Sequence, residues 1–191
     1  MKKYIIPRNF SILDTEYTAW KGSRERNWSN ANEYREIIEI GIINFINLKE
    51  CNKLNLLVLP KRNPILSRYI QKLTGINNTL LSKEGINFLE ALNLLSDFYK
   101  KNPGVIFTFG DDAKVIEENI YLNNLNFDSN KLNFFNIRPW IEKQLSIEEN
   151  TIDSSGLNYF LGVKSTVKHR AINDCRNIFN AIKCIHTGGI K

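Results

Sequence analysis

Apolar and polar positions along the chain predict three β-strands near its start. Apolar runs of strand length cover residues 9–18, 37–46 and 54–59, and Pro60 ends the third of them. A long polar segment over residues 21–35 separates the first two runs. We therefore expect two strands joined by a long connection, followed closely by a third.

Further along, the apolar spacing changes to that of amphipathic helices. One helix is predicted after Gly110, and Pro139 is expected to begin a short one. Further helices are predicted over residues 66–73, 84–100 and 171–185 and, more weakly, over residues 156–161. Short apolar runs over residues 105–109 and 132–137 predict a fourth and a fifth strand. This order of elements favours an α/β fold with a mixed five-stranded sheet flanked by helices. Without a linker or an internal repeat, we expect one domain over residues 1–191, with its core at residues 10–183.

Asp14 and Glu16 lie at the end of the first apolar run. Residues two apart in a strand point to the same face, so their carboxylates should lie side by side. Two like charges in contact repel, and a divalent cation is one group that compensates them. By itself, however, such a pair is usually just the solvated end of a strand.

Two further acidic residues and a histidine lie in segments that the sheet can bring to this pair. Asp112 follows the fourth predicted strand at a helix start, where capping of the helix is the alternative role. Asp174 lies in the last predicted helix, and His169 lies five residues before it. For these two residues, a surface charge and a helix cap are the alternative interpretations.

The composition narrows the class of protein. Hydrophobic residues make up 42% of the chain and charged residues 24%, as in ordinary globular proteins, and no apolar run is long enough to span a membrane. The three cysteines lack zinc-ligand spacing, which favours reduced thiols and a cytoplasmic protein. A net charge of +6 suits a polyanionic partner such as nucleic acid, although the lysines are scattered.

The order of these residues resembles that of the DEDDh group of 3′-5′ exonucleases. That group includes ribonuclease T, oligoribonuclease, polymerase proofreading subunits and histone-mRNA 3′-end exonucleases. Three motifs carry the resemblance, DTEYT at 14–18, TFGDD at 108–112 and HRAIND at 169–174. Five positions match the site of the group: Asp14, Glu16, Asp112, His169 and Asp174.

Other segments extend the resemblance to most of the chain. They are the second predicted strand with the residues before it, the helix region 66–76 and the turn at 154–157. In the second motif Asp111 competes with Asp112. We choose Asp112 because an aliphatic residue, Ile116, follows it by four positions, as is common in the family.

The resemblance implies a ribonuclease H-like fold and a two-metal hydrolysis of phosphodiester bonds. Asp14, Glu16, Asp112 and Asp174 would hold two Mg²⁺ or Mn²⁺ ions, since carboxylates suit these ions better than zinc. His169 would act as the general base that deprotonates the attacking water.

Four residues within or after the first motif are the substrate-binding candidates. By analogy, Tyr17 and Thr18 would lie beside the terminal nucleotide. Trp20 and Trp28 either stack on bases or pack the long segment against the sheet.

The expected partner is the 3′ end of a single-stranded nucleic acid. RNA is preferred, because the long segment after the first motif resembles the histone-mRNA exonuclease branch more than the proofreading branch. A DNA-trimming or proofreading-type exonuclease is the first alternative. A catalytically silent module that binds nucleic acid is the second.

Overall fold

A mixed sheet forms the centre of the protein. The computed structural model describes residues 6–163 and 169–188. Within them the sheet has five strands: β1 (Asn9–Tyr17), β2 (Ile37–Ile46), β3 (Lys49–Leu57), β4 (Val105–Thr108) and β5 (Phe134–Asn136). Their order across the sheet is β3-β2-β1-β4-β5. The first three strands form an antiparallel meander, and β4 and β5 run parallel to β1, which confirms the predicted sheet.

Helices cover both faces of this sheet. In the described part of the chain they are α1 (Arg68–Thr74), α2 (Asn78–Glu84), α3 (Phe88–Lys101), α4 (Asp112–Leu122), α5 (Arg138–Leu145), α6 (Leu157–Phe160) and α7 (Ala171–Thr187). On one face Phe10 and Ile12 of β1 pack in a buried cluster with α5, α6 and α7. On the other face Leu13 packs in a cluster with α3 and α4. The alternation of β1 therefore directs successive side chains to opposite helical layers. Among the described residues, no helix has the length and apolar character that a membrane span requires.

The third strand differs from its prediction. It was expected over residues 54–59, whereas β3 covers Lys49–Leu57. Its first five residues are exposed, so this edge strand has no apolar alternation by which the sequence could reveal it. Asn47 and Leu48, which join it to β2, both have positive φ (50° and 57°), as a tight hairpin turn requires.

The helices between β3 and β4 also differ from the prediction. Helix α2 was not predicted, and the helix expected from residue 84 begins at Phe88. Asn77 and Asn87 cap the two helices with their side chains, and each accepts a hydrogen bond from a backbone N–H. Between them Ile86 is extended and forms a bridge with Val58. The remaining elements lie within a few residues of their predicted bounds.

Candidate active site

A cleft of about 680 Å³ opens at the carboxyl end of β1, next to the end of β4 and the starts of α4 and α7. All five site residues that the sequence predicted line this cleft: Asp14, Glu16, Asp112, His169 and Asp174. They come from three separate elements and one loop, so the fold brings together residues that are up to 160 positions apart.

Asp14 and Glu16 lie side by side on the face of β1 that α7 covers. Both side chains are buried, as expected for alternate positions of a central strand. The hydroxyl of Ser154, in the turn before α6, donates to Asp14 Oδ1 at 3.3 Å. Thr15 points to the opposite face of the strand and there contacts the start of α4.

Asp112 is fixed to β1 by two hydrogen bonds from one residue. The backbone N–H of Thr15 donates to Asp112 Oδ1 at 2.9 Å, and its hydroxyl donates to the same oxygen at 2.7 Å. Asp111, in contrast, is exposed, occupies the N-cap position without a side-chain cap and pairs with Arg35 at 3.6 Å. The geometry therefore favours Asp112 as the cleft carboxylate of the second motif.

His169 and Asp174 belong to the start of α7. Asp174 lies in the first turn of this helix, where Asn177 Nδ2 donates to its Oδ1 at 2.8 Å. His169 precedes the helix with a left-handed backbone (φ 52°). Glu16, His169 and Asp174 each offer a ligand atom, and these atoms all lie within 4.8 Å of one another.

Burial and crowding raise the pKa of the four cleft carboxyls. Burial, followed by repulsion from Asp112 and Asp174, raises the pKa of Asp14 well above its usual value. Burial and then the charge of Asp174 do the same for the pKa of Glu16. Burial raises the pKa of Asp112 to about 6 against the two bonds from Thr15, and raises the pKa of Asp174 to about 7.

These residues fit a divalent cation. Four buried carboxylates with raised pKa values in one cleft need either protons or a positive ion to compensate their charges. The donors are mostly carboxylate oxygens, the ligands that Mg²⁺ and Mn²⁺ prefer, whereas a single imidazole is a poor set for zinc. The donor chemistry agrees with the ions that the sequence implied.

The aromatic residues after the first motif form one wall of the cleft. Trp28 donates from Nε1 to the Thr18 carbonyl at 3.0 Å and packs edge-to-face on Tyr17, with ring centroids 5.5 Å apart. The guanidinium of Arg35 lies over the Trp28 ring. Trp28 thus packs against the end of β1 while it lines the cleft, and Trp20 lines the cleft beside it.

Thr18 does not belong to the cleft lining. Its side chain is buried, where its hydroxyl donates to the Tyr34 carbonyl and accepts from the backbone N–H of Glu36. The expectation that Thr18 lies beside a terminal nucleotide therefore has no support from the position of its side chain.

The residues that hold the site together were not identified from the sequence. Thr15 lies in the first motif, but no pattern in the sequence indicates that its hydroxyl binds Asp112. Arg138 lines the cleft and forms a buried pair with Glu142 of the same helix, at 2.6 Å. An Arg and a Glu four positions apart indicate such a pair on a helix, but not its burial.

Comparison with known families identifies the domain. The family model RNase_T, described as exonuclease, matches residues 11–182. A probable 3′-5′ exonuclease of Bacillus subtilis (strain 168), KapD, is 28% identical over 117 residues, which are 61% of this chain and 55% of KapD. The chain therefore spans about half the length of that relative.

Several solved structures share the fold. A 3′-exonuclease that recognises the 3′ end of a histone mRNA stem-loop has a TM-score of 0.79 at 20% identity over 95% of this chain and 83% of its own. The nuclease domain of 3′hExo, a DEDDh family member bound to rAMP, has a TM-score of 0.79 at 21% identity over 95% and 93%. The zinc-bound complex of E. coli ExoI with ssDNA has a TM-score of 0.70 at 12% identity over 95% and 41%. The five residues expected for a DEDDh site line the cleft. Since the family model covers nearly the whole chain, this chain belongs to the RNase_T exonuclease family.

Proposed function

We propose that this protein is a metal-dependent 3′-5′ exonuclease that removes nucleotides from the 3′ end of single-stranded nucleic acid, with a preference for RNA. The observation that carries the proposal is the convergence of four buried carboxylates and one histidine in a single open cleft. Membership of the exonuclease family supports the reaction class.

The chemistry divides between the carboxylates and the histidine. Asp14, Glu16, Asp112 and Asp174 would hold two Mg²⁺ or Mn²⁺ ions, which when bound supply a nucleophilic hydroxide and neutralise charge on the phosphate. His169 takes the proton from the attacking water, because an imidazole with a pKa near neutrality accepts and releases protons readily.

Two features support binding of a single strand in the cleft. Tyr17, Trp20 and Trp28 line the cleft next to the carboxylates, where bases of an unpaired strand can stack, an interaction worth about 1–3 kcal/mol per base. Arg24 lines the same wall, is exposed and makes no side-chain hydrogen bond or ion pair within the described residues, so it is available to a phosphate.

The nucleic acids bound by the most similar solved structures described above support RNA as the preferred substrate. The structures with the TM-score of 0.79 concern histone mRNA and rAMP, and this chain covers 93% of the nuclease domain of 3′hExo. The alternative is a DNA-trimming exonuclease, which the similarity to the ExoI–ssDNA complex favours at a TM-score of 0.70.

An end-labelling assay tests the proposal. The protein is incubated with single-stranded RNA or DNA of one sequence, labelled at either end, in Mg²⁺, Mn²⁺ or EDTA. We expect immediate release of the 3′ label as a mononucleotide, gradual shortening of the 5′-labelled strand and no reaction in EDTA. Internal cuts alone, or no cleavage with either metal, would refute the proposal, and a higher kcat/KM on DNA would refute the preference for RNA.

A pair of variants assigns the activity to the cleft. Asp14→Asn removes a buried carboxylate there, whereas Asp97→Asn removes an exposed one from α3. We expect the first variant to be inactive and the second to retain the wild-type rate, which excludes a contaminating nuclease.

A further inference from the structure

An ion pair between the buried Glu39 and the partly exposed Arg170 ties β2 to the start of α7, directly beside His169. The Glu39 side chain is fully buried, and Arg170 donates to its carboxylate from Nε (3.1 Å to each oxygen) and from Nη2 (2.7 Å). The first backbone N–H of α7, from Ala171, donates to Glu39 Oε2 at 2.9 Å. Asn55 Nδ2, on β3, donates to Oε1 at 3.0 Å. Glu39 therefore binds the backbone and the side chain of the two residues that follow His169.

The same strand approaches α7 closely two residues further on. A Cβ atom on Gly41 would lie 2.6 Å from the backbone nitrogen of Ile172 and 2.7 Å from the carbonyl carbon of Ala171. Residues 39 and 41 point to one face of β2, so this face contacts the first turn of α7 at two successive positions. Glu39 also lies directly opposite Glu16 across the strand pair, so this contact lies at the edge of the cleft.

Stability alone does not explain a charged pair at this place. Burial removes the hydration of the Glu39 carboxylate, and such a pair is often no more stabilising than apolar residues of the same size. The pair instead fixes the local geometry, because a bidentate arginine sets both the distance and the orientation of the groups that it joins. His169, which precedes Arg170, has a backbone conformation that requires such support.

His169 has a left-handed backbone with φ 52°. A residue with a side chain is strained in this region and stays there only when its surroundings hold it. Arg170 and Ala171 are the residues whose attachment to Glu39 fixes the chain on the C-terminal side of His169.

We propose that the Glu39–Arg170 pair positions His169 toward Glu16 and Asp174, so that its imidazole meets the attacking water. Glu39 and Arg170 are positioning residues in this proposal and touch no substrate. The inference rests on the proposed exonuclease function for its kinetic consequence, but the position of the imidazole can be measured without catalysis.

The chain offers a matched control for the experiment. Arg176, also on α7, donates from Nε and Nη2 to Glu50 on β3 at 3.0 and 2.9 Å. This second pair is likewise held through Nε and Nη2 and joins the same helix to the sheet, but its arginine lies seven residues after His169 rather than next to it. Glu39→Gln and Glu50→Gln therefore make the same chemical change at two points where the N-terminal half of α7 is attached to the sheet.

The kinetic comparison is made at saturating metal. We expect Glu39→Gln to lower kcat about 10- to 100-fold, the usual loss when a residue that orients a site ligand is changed, with little change in KM. Glu50→Gln should retain the wild-type kcat. In a His169→Ala background Glu39→Gln should cost little more, because the group that it orients is gone. If Glu39→Gln does not fold, Arg170→Lys keeps the charge, loses the bidentate geometry and should show the same pattern.

The spectroscopic comparison separates this proposal from the proposed function. The chain has two histidines, His169 and His186, so their ring signals in ¹H–¹⁵N NMR spectra are assigned with one variant. We expect Glu39→Gln to shift or broaden the His169 signals and to leave those of His186 unchanged, and Glu50→Gln to leave both unchanged. Unchanged His169 signals, or an equal loss of kcat with and without His169, would overturn the positioning role. An inactive wild-type protein would refute the exonuclease function instead, while the spectra would still judge the pair.

Discussion

Thr15 donates both its backbone N–H and its hydroxyl to Oδ1 of Asp112, a residue 97 positions away, at 2.9 and 2.7 Å. Strand β1 carries Asp14 and Glu16 on one face. Through Thr15, which points to the other face, the same strand also holds Asp112, the third carboxylate of the site. The middle residue of the first motif is thus structural support for the second motif.

Replacement of this hydroxyl should weaken the site without removing a carboxylate. We expect Thr15→Val to lower kcat/KM about 10-fold or more, as changes to residues that orient metal ligands do. It should also cost about 1–2 kcal/mol of stability, since a buried acceptor loses one of its donors. The measurements are steady-state kinetics and urea unfolding. Thr15→Ser keeps the hydroxyl and is the control, so an equal loss of kcat/KM in both variants would contradict this role.

Asp174→Asn should abolish activity and stabilise the metal-free protein. The buried Asp174 has a pKa raised to about 7, first by burial, so its ionisation near neutral pH is unfavourable in the folded state. A neutral amide avoids that cost and still accepts the hydrogen bond from Asn177. In EDTA at pH 8, we expect the free energy of unfolding to increase by about 1–3 kcal/mol. A decrease on urea unfolding would show that the charge is compensated in the folded protein.

The raised pKa values also fix the direction of the pH dependence. A carboxyl with a pKa near 7 in the folded state and near 3.8 when unfolded binds protons more tightly when folded. Its stabilising effect is complete below pH 3.8 and is lost as the pH rises through 7. In EDTA the free energy of unfolding should therefore fall between pH 5 and pH 8, with a smaller fall in Asp174→Asn. Parallel pH profiles for the two proteins would contradict the assignment.

Metal and protons should compete for the same carboxylates. Because burial and mutual repulsion hold the protons of Asp14 and Asp112 to higher pH, a divalent cation must displace more protons at acidic pH than at pH 8. We expect Mn²⁺ to raise Tm more at pH 8 than at pH 5.5, and to have almost no effect on Asp14→Asn. The measurement is thermal unfolding with and without the ion. A shift of equal size at both pH values would place the bound ion elsewhere.

The outcome for β2 and β3 explains how far the sequence could predict the fold. Strand β2 is buried almost throughout, so its apolar run marks its bounds correctly. Strand β3 has five exposed residues at its start, and its pairing depends on β2 rather than on its own side chains. Helix α2 depends on Asn77 as its cap and buries only Leu81, so it lacks the apolar stripe by which longer helices are found.

The candidate site likewise contains residues that the sequence predicted and residues that it did not. Asp14, Glu16, Asp112, His169 and Asp174 were found because the order and spacing of their motifs are family features. The residues that hold them were not found, because contacts over more than 90 positions in the chain, such as the bond from Ser154 to Asp14, leave no local pattern. Residue type shows what chemistry is available, but only the fold shows which side chains support it.

The buried pair of Arg138 and Glu142 offers a last test of how the cleft is held. Arg138 donates from Nε to Glu142 at 2.6 Å and from Nη2 to the Ile152 carbonyl at 2.7 Å, which fixes the loop that ends at Ser154, the partner of Asp14. Arg138→Met leaves the Glu142 carboxylate buried with no cation beside it and only the N–H of Asn150 as a donor, so we expect a loss of about 3–5 kcal/mol in the free energy of unfolding. The double variant Arg138→Met/Glu142→Leu removes both charges and should recover most of that stability in urea unfolding. It should not recover activity, because the loop that carries Ser154 has lost its attachment. Full activity in the double variant would show that the loop needs no such anchor.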